Sequence, residues 1–236
     1  MIVERRSHER GHVQAGWLDS HHTFSFGSYY DAGWMGFGAL RVINEDRVAP
    51  GAGFAPHRHA NMEILSYVLS GALAHKDSSG GGGVIRPGEL QWMSAGHGVE
   101  HSEFNASQTE PVHFLQIWLQ PDRVNAEPAY AQRAAVPSAA IGQWNLLASP
   151  DGADGSVAIR QDARLHGVRL VADATAEFAL VAGRRYWLQV AQGAIEANGR
   201  ALAAGDALGF ADEAGALQLI GRDEMAADVL LFDLPG

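Results

Sequence analysis

The feature that most constrains this chain is a pattern that occurs twice. SYVLSGAL (66–73) and WLQVAQGAI (187–195) both read as apolar strand, glycine, apolar strand. A turn follows in each case, SSGGGG (78–83) in one and NGR (198–200) in the other. A Gly-acid pair then leads into a further apolar stretch, PGELQW (87–92) or AGDALGF (204–210). Short apolar runs between turn residues recur elsewhere, in VIRPGELQWMSAG, HSEFN and VHFLQIWLQP, and helical spacing is hard to find. The expectation is an all-β protein built as a duplicated β-barrel.

The chain has 236 residues, enough for two domains, and a formal net charge of −10. That charge argues against a nucleic-acid surface, which needs clustered Lys and Arg. The absence of cysteine excludes disulfides, thiolate zinc sites and cysteine nucleophiles. MIVERRSHERG at the N-terminus lacks the apolar stretch of a signal peptide, and no run has the length of a membrane span. A cytoplasmic protein is therefore expected. Residues 121–145 carry Pro121, Pro128, Pro137 and many alanines, and read as a connector with at most one helical turn. The expected division is 1–120 and 146–236, with the connector between.

APHRHANME (55–63) carries the first chemical signal. On a strand, side chains alternate, so His57 and His59 share one face about 6–7 Å apart and can grip one small object. GVEHSEFN repeats the device with His101 and Glu103. Were the two strands neighbours, His57, His59, His101 and Glu103 would converge. Three imidazoles and a carboxylate suit one divalent transition metal: Zn, Fe, Ni, Cu, Co or Mn. The other histidines, His8, His12, His21, His75 and His166 among them, have the ordinary reading of surface or hydrogen-bonding roles.

Gly51, His57, His59, Glu63 and Gly71 resemble the first cupin motif, with one extra residue before the last glycine. Gly88, Gly96, His101 and Asn105 resemble the second, with two extra residues before the histidine. Together with HTFSFGSYYD (22–31), GFGALRVINEDRV (36–48) and the terminal VLLFDLP, they make the chain resemble the pirin family of bicupins over nearly its whole length. The resemblance is closest to bacterial pirin-like proteins described as quercetin 2,3-dioxygenases. It implies two tandem cupin barrels, each a double-stranded β-helix. It places the metal ligands on His57, His59, His101 and Glu103, with Fe(II) as the first choice of metal. General cupins use the glutamate of the first motif, here Glu63, whereas pirins are understood to use the later one. The second half lacks an HxH, and His166 is its only histidine, so a barrel without metal is expected there.

The expected activity is ring-opening dioxygenation of a flavonol such as quercetin with release of carbon monoxide. Glu103 would accept the proton, and dioxygen and a small phenol would be the partners. Pirins are also described as iron-dependent coregulators, so the alternative is a metal- or redox-sensing protein that binds a protein partner without turnover. Neither reading calls for nucleic acid or a membrane. Trp92 and Met93 are expected in the core, Arg58 outside the barrel, and His97 in a turn rather than at the pocket. Phe24, Phe26, Tyr29 and Tyr30 form an aromatic opening segment that either covers one end of the barrel or packs on it.

Overall fold

A computed structural model of the protein describes residues 1–134 and 140–236. The expected connector therefore falls partly outside the described residues. Nearly all regular structure is strand, numbered here along the chain from β1 (Ile2–Arg5); the described helices are two single 3-10 turns, Ser7–Glu9 and Ala153–Gly155. The chain forms two compact units. One comprises Gly11–Val136 with Val157–Gln161; the other comprises Met1–Arg10, Pro137–Ser156 and Asp162–Gly236.

The first unit holds β2 (Gly11–Ala15), β3 (Leu18–His22), β4 (Leu40–Val48), β5 (Gly53–His59), β6 (Glu63–Ser70), β7 (Leu73–Asp77), β8 (Gly82–Ile85), β9 (Leu90–Ser94), β10 (Val99–Asn105), β11 (Val112–Leu119) and β12 (Ala129–Arg133). They form two antiparallel sheets, in the orders β12-β9-β6-β11-β4-β3-β2 and β5-β10-β7-β8. Apolar side chains pack one part of the interior, with Val48, Val68, Leu73, Ile85, Val112 and Phe114 in contact. A second apolar cluster holds Ile64, Met93, Ala95 and Val99, and the site lies among the buried polar side chains, Ser66, His75, His101 and Glu103 among them. β12 is a finding the composition did not suggest. Beyond Pro128, residues 129–133 pair with β9 as an edge strand, Tyr130 opposite Met93, where the sequence reads as connector.

The remaining strands are β13 (Asn145–Ser149), the two-residue β14 (Val157–Ala158), β15 (Arg164–Leu170), β16 (Thr175–Leu180), β17 (Arg184–Gln192), β18 (Ala194–Ala197), β19 (Arg200–Ala203), β20 (Ala207–Ala211), β21 (Gly215–Gly221) and β22 (Ala227–Pro235). The second unit has sheets β1-β20-β17-β22-β15-β13 and β16-β21-β18-β19. β1, at the start of the chain, is an edge strand of this unit, paired with β20.

The repeated text folds as repeated structure. Gly71 joins β6 to β7 and Gly193 joins β17 to β18, with φ of 76° and 75°. A Cβ would stand 2.5 Å from Pro111 O at the first and 2.7 Å from Ala227 Cα at the second, so only glycine fits either turn. The interiors differ. The second unit is filled by one apolar cluster that includes Val168, Leu188, Val190, Ile195, Leu219 and Leu231.

Candidate metal centre

β5 and β10 are antiparallel neighbours, as the convergence of the two motifs requires, with His57 directly opposite His101 and Val99 opposite His59. A register shift follows His101, so Glu103 stands opposite Phe54. Alternation along β10 buries Val99, His101, Glu103 and Asn105 and exposes Glu100 and Phe104. Arg58, between the two histidines of β5, points out and pairs with Glu100 at 3.2 Å.

Three of the four expected ligands come together. One nitrogen from each of His57, His59 and His101 lies within 4.8 Å of the others. His57 Nε2 and His101 Nε2 are 3.0 Å apart. Two nitrogens bound at about 2.1 Å to one ion, at a right angle, stand about 3.0 Å apart, so this spacing is compatible with two ligands of one ion. The tautomer of His57 agrees. Its Nδ1 is 2.8 Å from Ala55 O, which can only accept, so Nδ1 carries the proton and Nε2 keeps a lone pair. Burial, then the neighbouring His57, pushes His59 down to about 4. Burial, then His57, His59 and His75, pushes His101 down to about 2. Both rings are neutral at pH 7, the form a metal requires. The donor set therefore fits a divalent transition metal.

Glu103 faces the same interior but does not join the three nitrogens. Ser66 Oγ donates to its Oε1 at 3.0 Å and Gln116 Nε2 to its Oε2 at 2.6 Å. Burial raises its pKa to about 7; Ser66 and Gln116 oppose the shift and the charge of Asp46 adds to it. Glu63 is committed elsewhere. Its carboxylate accepts from Trp92 Nε1 (2.7 Å), Ser94 Oγ (2.5 Å) and the backbone N–H of Arg160 (2.9 Å).

The surroundings contain residues that lie outside the two motifs. His75 Nε2 is 3.1 Å from His101 Nδ1. Trp118 meets His59 edge to face at 4.9 Å, and Phe26 meets Trp118 at 5.3 Å. Part of the aromatic opening segment thus lies one ring removed from the cluster, while Tyr30 is exposed. Trp92 and Met93 are buried, as expected. A cavity of about 640 Å³ is walled by Arg58, His59, Ala60, Ser78, His97, Gly98, Val99 and Glu100. His97 does reach this cavity, and its Nε2 is 3.2 Å from Glu127. A second group, His12, Asp19 and His21, sits on the exposed β2–β3 hairpin, its imidazoles stacked at 4.3 Å and both beside the Asp19 carboxylate.

Comparison with known proteins agrees with this geometry. The pirin family model matches residues 3–119, and the model for the quercetinase C-terminal cupin domain matches residues 146–234. The chain is 45% identical over 235 residues to a protein of Escherichia coli K12 named quercetin 2,3-dioxygenase, covering 100% of this chain and 99% of that one. It is 40% identical over 216 residues to a pirin-like protein of Caulobacter vibrioides, covering 90% and 92%. The crystal structure of the bacterial pirin YhhW from E. coli in complex with nickel(II) superposes with a TM-score of 0.92 at 45% identity, over 100% of this chain and 99% of that chain. Two cupin-type units, a three-histidine cluster on β5 and β10, and relatedness along the whole length lead to one conclusion: the chain is a bicupin and belongs to the pirin family.

Proposed function

We propose that the protein opens the central ring of a flavonol such as quercetin, with dioxygen as co-substrate and carbon monoxide as one product. The observation that carries this reading is the convergence of His57, His59 and His101, a donor set for one transition metal, with His59 also lining a cavity of about 640 Å³. The relatives named quercetin 2,3-dioxygenase support it.

His57, His59 and His101 would hold one divalent metal, Fe(II) in the first instance, with Glu103 as the fourth ligand. Bound there, the ion supplies Lewis acidity toward the oxygen of the flavonol 3-hydroxyl. The protein's own groups do the rest. Three neutral imidazoles leave the site cationic, which favours the deprotonated hydroxyl. Glu103 takes the hydroxyl proton, and Ser66 and Gln116 hold its carboxylate in place. Phe26 and Trp118 offer ring edges and faces beside His59 for a flat phenol. The division of labour lies between the units: the one that carries β5 and β10 binds the metal, and the other does no chemistry. No helix among the described residues is long and apolar enough to cross a membrane, and we place the protein in the cytoplasm.

Aerobic incubation of metal-loaded protein with quercetin tests the reading, by loss of flavonol absorbance and appearance of carbon monoxide. Metal binding without product for Fe, Mn, Ni, Co and Cu alike would replace it with the sensing function.

A further inference from the structure

Behind His101 lies a second row of polar side chains that neither binds the metal nor belongs to the cavity wall. β7 flanks β10 on the side away from β5, with His75 opposite Glu103 and Asp77 opposite His101. His75 Nε2 is 3.1 Å from His101 Nδ1. The far nitrogen of His75, Nδ1, has no hydrogen-bond partner among the described residues, and neither has Asp77 Oδ2. These two atoms are 3.9 Å apart, on side chains with no solvent exposure.

The protons have one consistent arrangement. If His101 Nε2 binds the metal, its Nδ1 must carry the hydrogen and donate to His75 Nε2. His75 Nε2 is then an acceptor, so the His75 proton sits on Nδ1, aimed at the one acceptor left over, Asp77 Oδ2. The 3.9 Å gap exceeds a hydrogen bond by about 1 Å, and each atom's lack of any other partner favours closing it. Asp77 cannot turn away. Its Oδ1 is held by Ser79 N (2.8 Å), Ser79 Oγ (2.6 Å) and Gly81 N (2.9 Å), which fixes Oδ2 toward His75. The Tyr130 ring lies on His75 at 5.1 Å and 11°, and clamps it in this plane. Gly81 leaves the room needed: a Cβ there would stand 2.3 Å from Asp77 Oδ2 and 2.7 Å from the Tyr130 ring.

We propose that His75 and Asp77 are positioning residues, a buried relay in which Asp77 fixes the tautomer of His75 and His75 fixes the tautomer and bearing of the metal ligand His101. The inference rests on the metal-site reading above. Outer partners of ligating histidines typically change metal affinity 10- to 100-fold.

The test is cobalt(II) affinity by chelator competition, with the visible d–d spectrum of the cobalt protein as a second readout and apo-protein melting as a check on folding. His75→Leu removes the acceptor and should weaken cobalt binding at least about 10-fold and shift the spectrum. His75→Gln can still accept the His101 proton through Oε1 and should recover most of the affinity. Asp77→Asn keeps the turn through Oδ1 but puts an NH₂ where Oδ2 was. That forces the wrong His75 tautomer and should also weaken binding. Gly81→Ala reaches the relay without altering either member, so it serves if an Asp77 or His75 variant fails to fold, and it too should weaken binding. Equal losses in His75→Leu and His75→Gln, or wild-type affinity and spectrum in His75→Leu, Asp77→Asn and Gly81→Ala, would overturn the relay. A wild-type protein that binds no cobalt would instead overturn the metal-site reading itself.

Discussion

Glu63 and Ser66 lie three residues apart on β6 and face opposite sides of it. Ser66 Oγ reaches inward to Glu103 Oε1 at 3.0 Å, whereas Glu63 is spent on Trp92, Ser94 and the backbone of Arg160. An odd separation on a strand reverses the face, so the carboxylate of the first motif cannot share the interior with the second.

The two glutamates should therefore fail differently. Glu103→Gln is expected to lose turnover even where metal is retained, since an amide cannot take the hydroxyl proton. Glu63→Gln should keep its metal but lower stability by about 1–3 kcal/mol, as three charge-assisted hydrogen bonds become neutral ones. Metal content, quercetin turnover and thermal melting of both variants check this. Loss of turnover in Glu63→Gln at full metal content and wild-type stability would reassign the base.

Metal stoichiometry should be one per chain. His57→Ala removes a donor 3.0 Å from its neighbour's Nε2 and is expected to leave roughly a tenth or less of the metal by elemental analysis. His12→Ala, in the exposed hairpin group, should leave the stoichiometry at one. There the imidazoles are already engaged with one another through Asp19.

Parity made much of this site legible before any coordinates. Two i, i+2 pairs on strands named His57, His59, His101 and Glu103, and three of them meet. The same rule applied to AHKD would have named His75 and Asp77, which share a face of β7. A lone histidine beside a lysine has the look of a surface or hydrogen-bonding residue, and only the pairing of β7 with β10 buries it. Trp118 and Phe26 carry no spacing signal at all. Their approach to His59 depends on how the segment before β4 folds back, a tertiary contact that local pattern does not encode. The strand at 129–133 was hidden for a similar reason, because an edge strand next to prolines has the composition of a linker.

The contribution of Asp46 to apo-protein stability should fall between about pH 4 and pH 7. Burial raises Asp46 to about 7, its bond from Ser20 opposing the shift and Glu45 adding to it. The folded state thus holds a proton that the unfolded chain releases near pH 4, so the cost of ionising the buried carboxyl is absent below pH 4 and complete above pH 7. Three pH units correspond to an upper bound of about 4 kcal/mol. Asp46→Asn should then be more stable than the wild type at pH 8 and gain little at pH 4, measured by urea unfolding of the metal-free proteins. A gain independent of pH would show that the carboxyl is not the source.

The second barrel offers the sharpest test of an inert role. His166 is the only histidine of residues 146–236, held against Phe178 at 4.9 Å and Trp144 at 6.5 Å, and its Nε2 has no hydrogen-bond partner among the described residues. An unsatisfied buried nitrogen costs about 1–3 kcal/mol, so His166→Leu, close in volume and apolar, should stabilise the protein by about 1 kcal/mol at pH 8. Burial also depresses the His166 pKa, with Asp233 opposing and Arg164 adding to the shift. In the wild type the unfolded chain binds a proton near pH 6.5 that the folded protein does not, and stability is lost as pH falls through that range. The gain from His166→Leu should accordingly be larger at pH 5 than at pH 8, while metal stays at one per chain. If the variant lost metal, or were destabilised at both pH values, His166 would be serving a bound group, and the second barrel would have chemistry of its own.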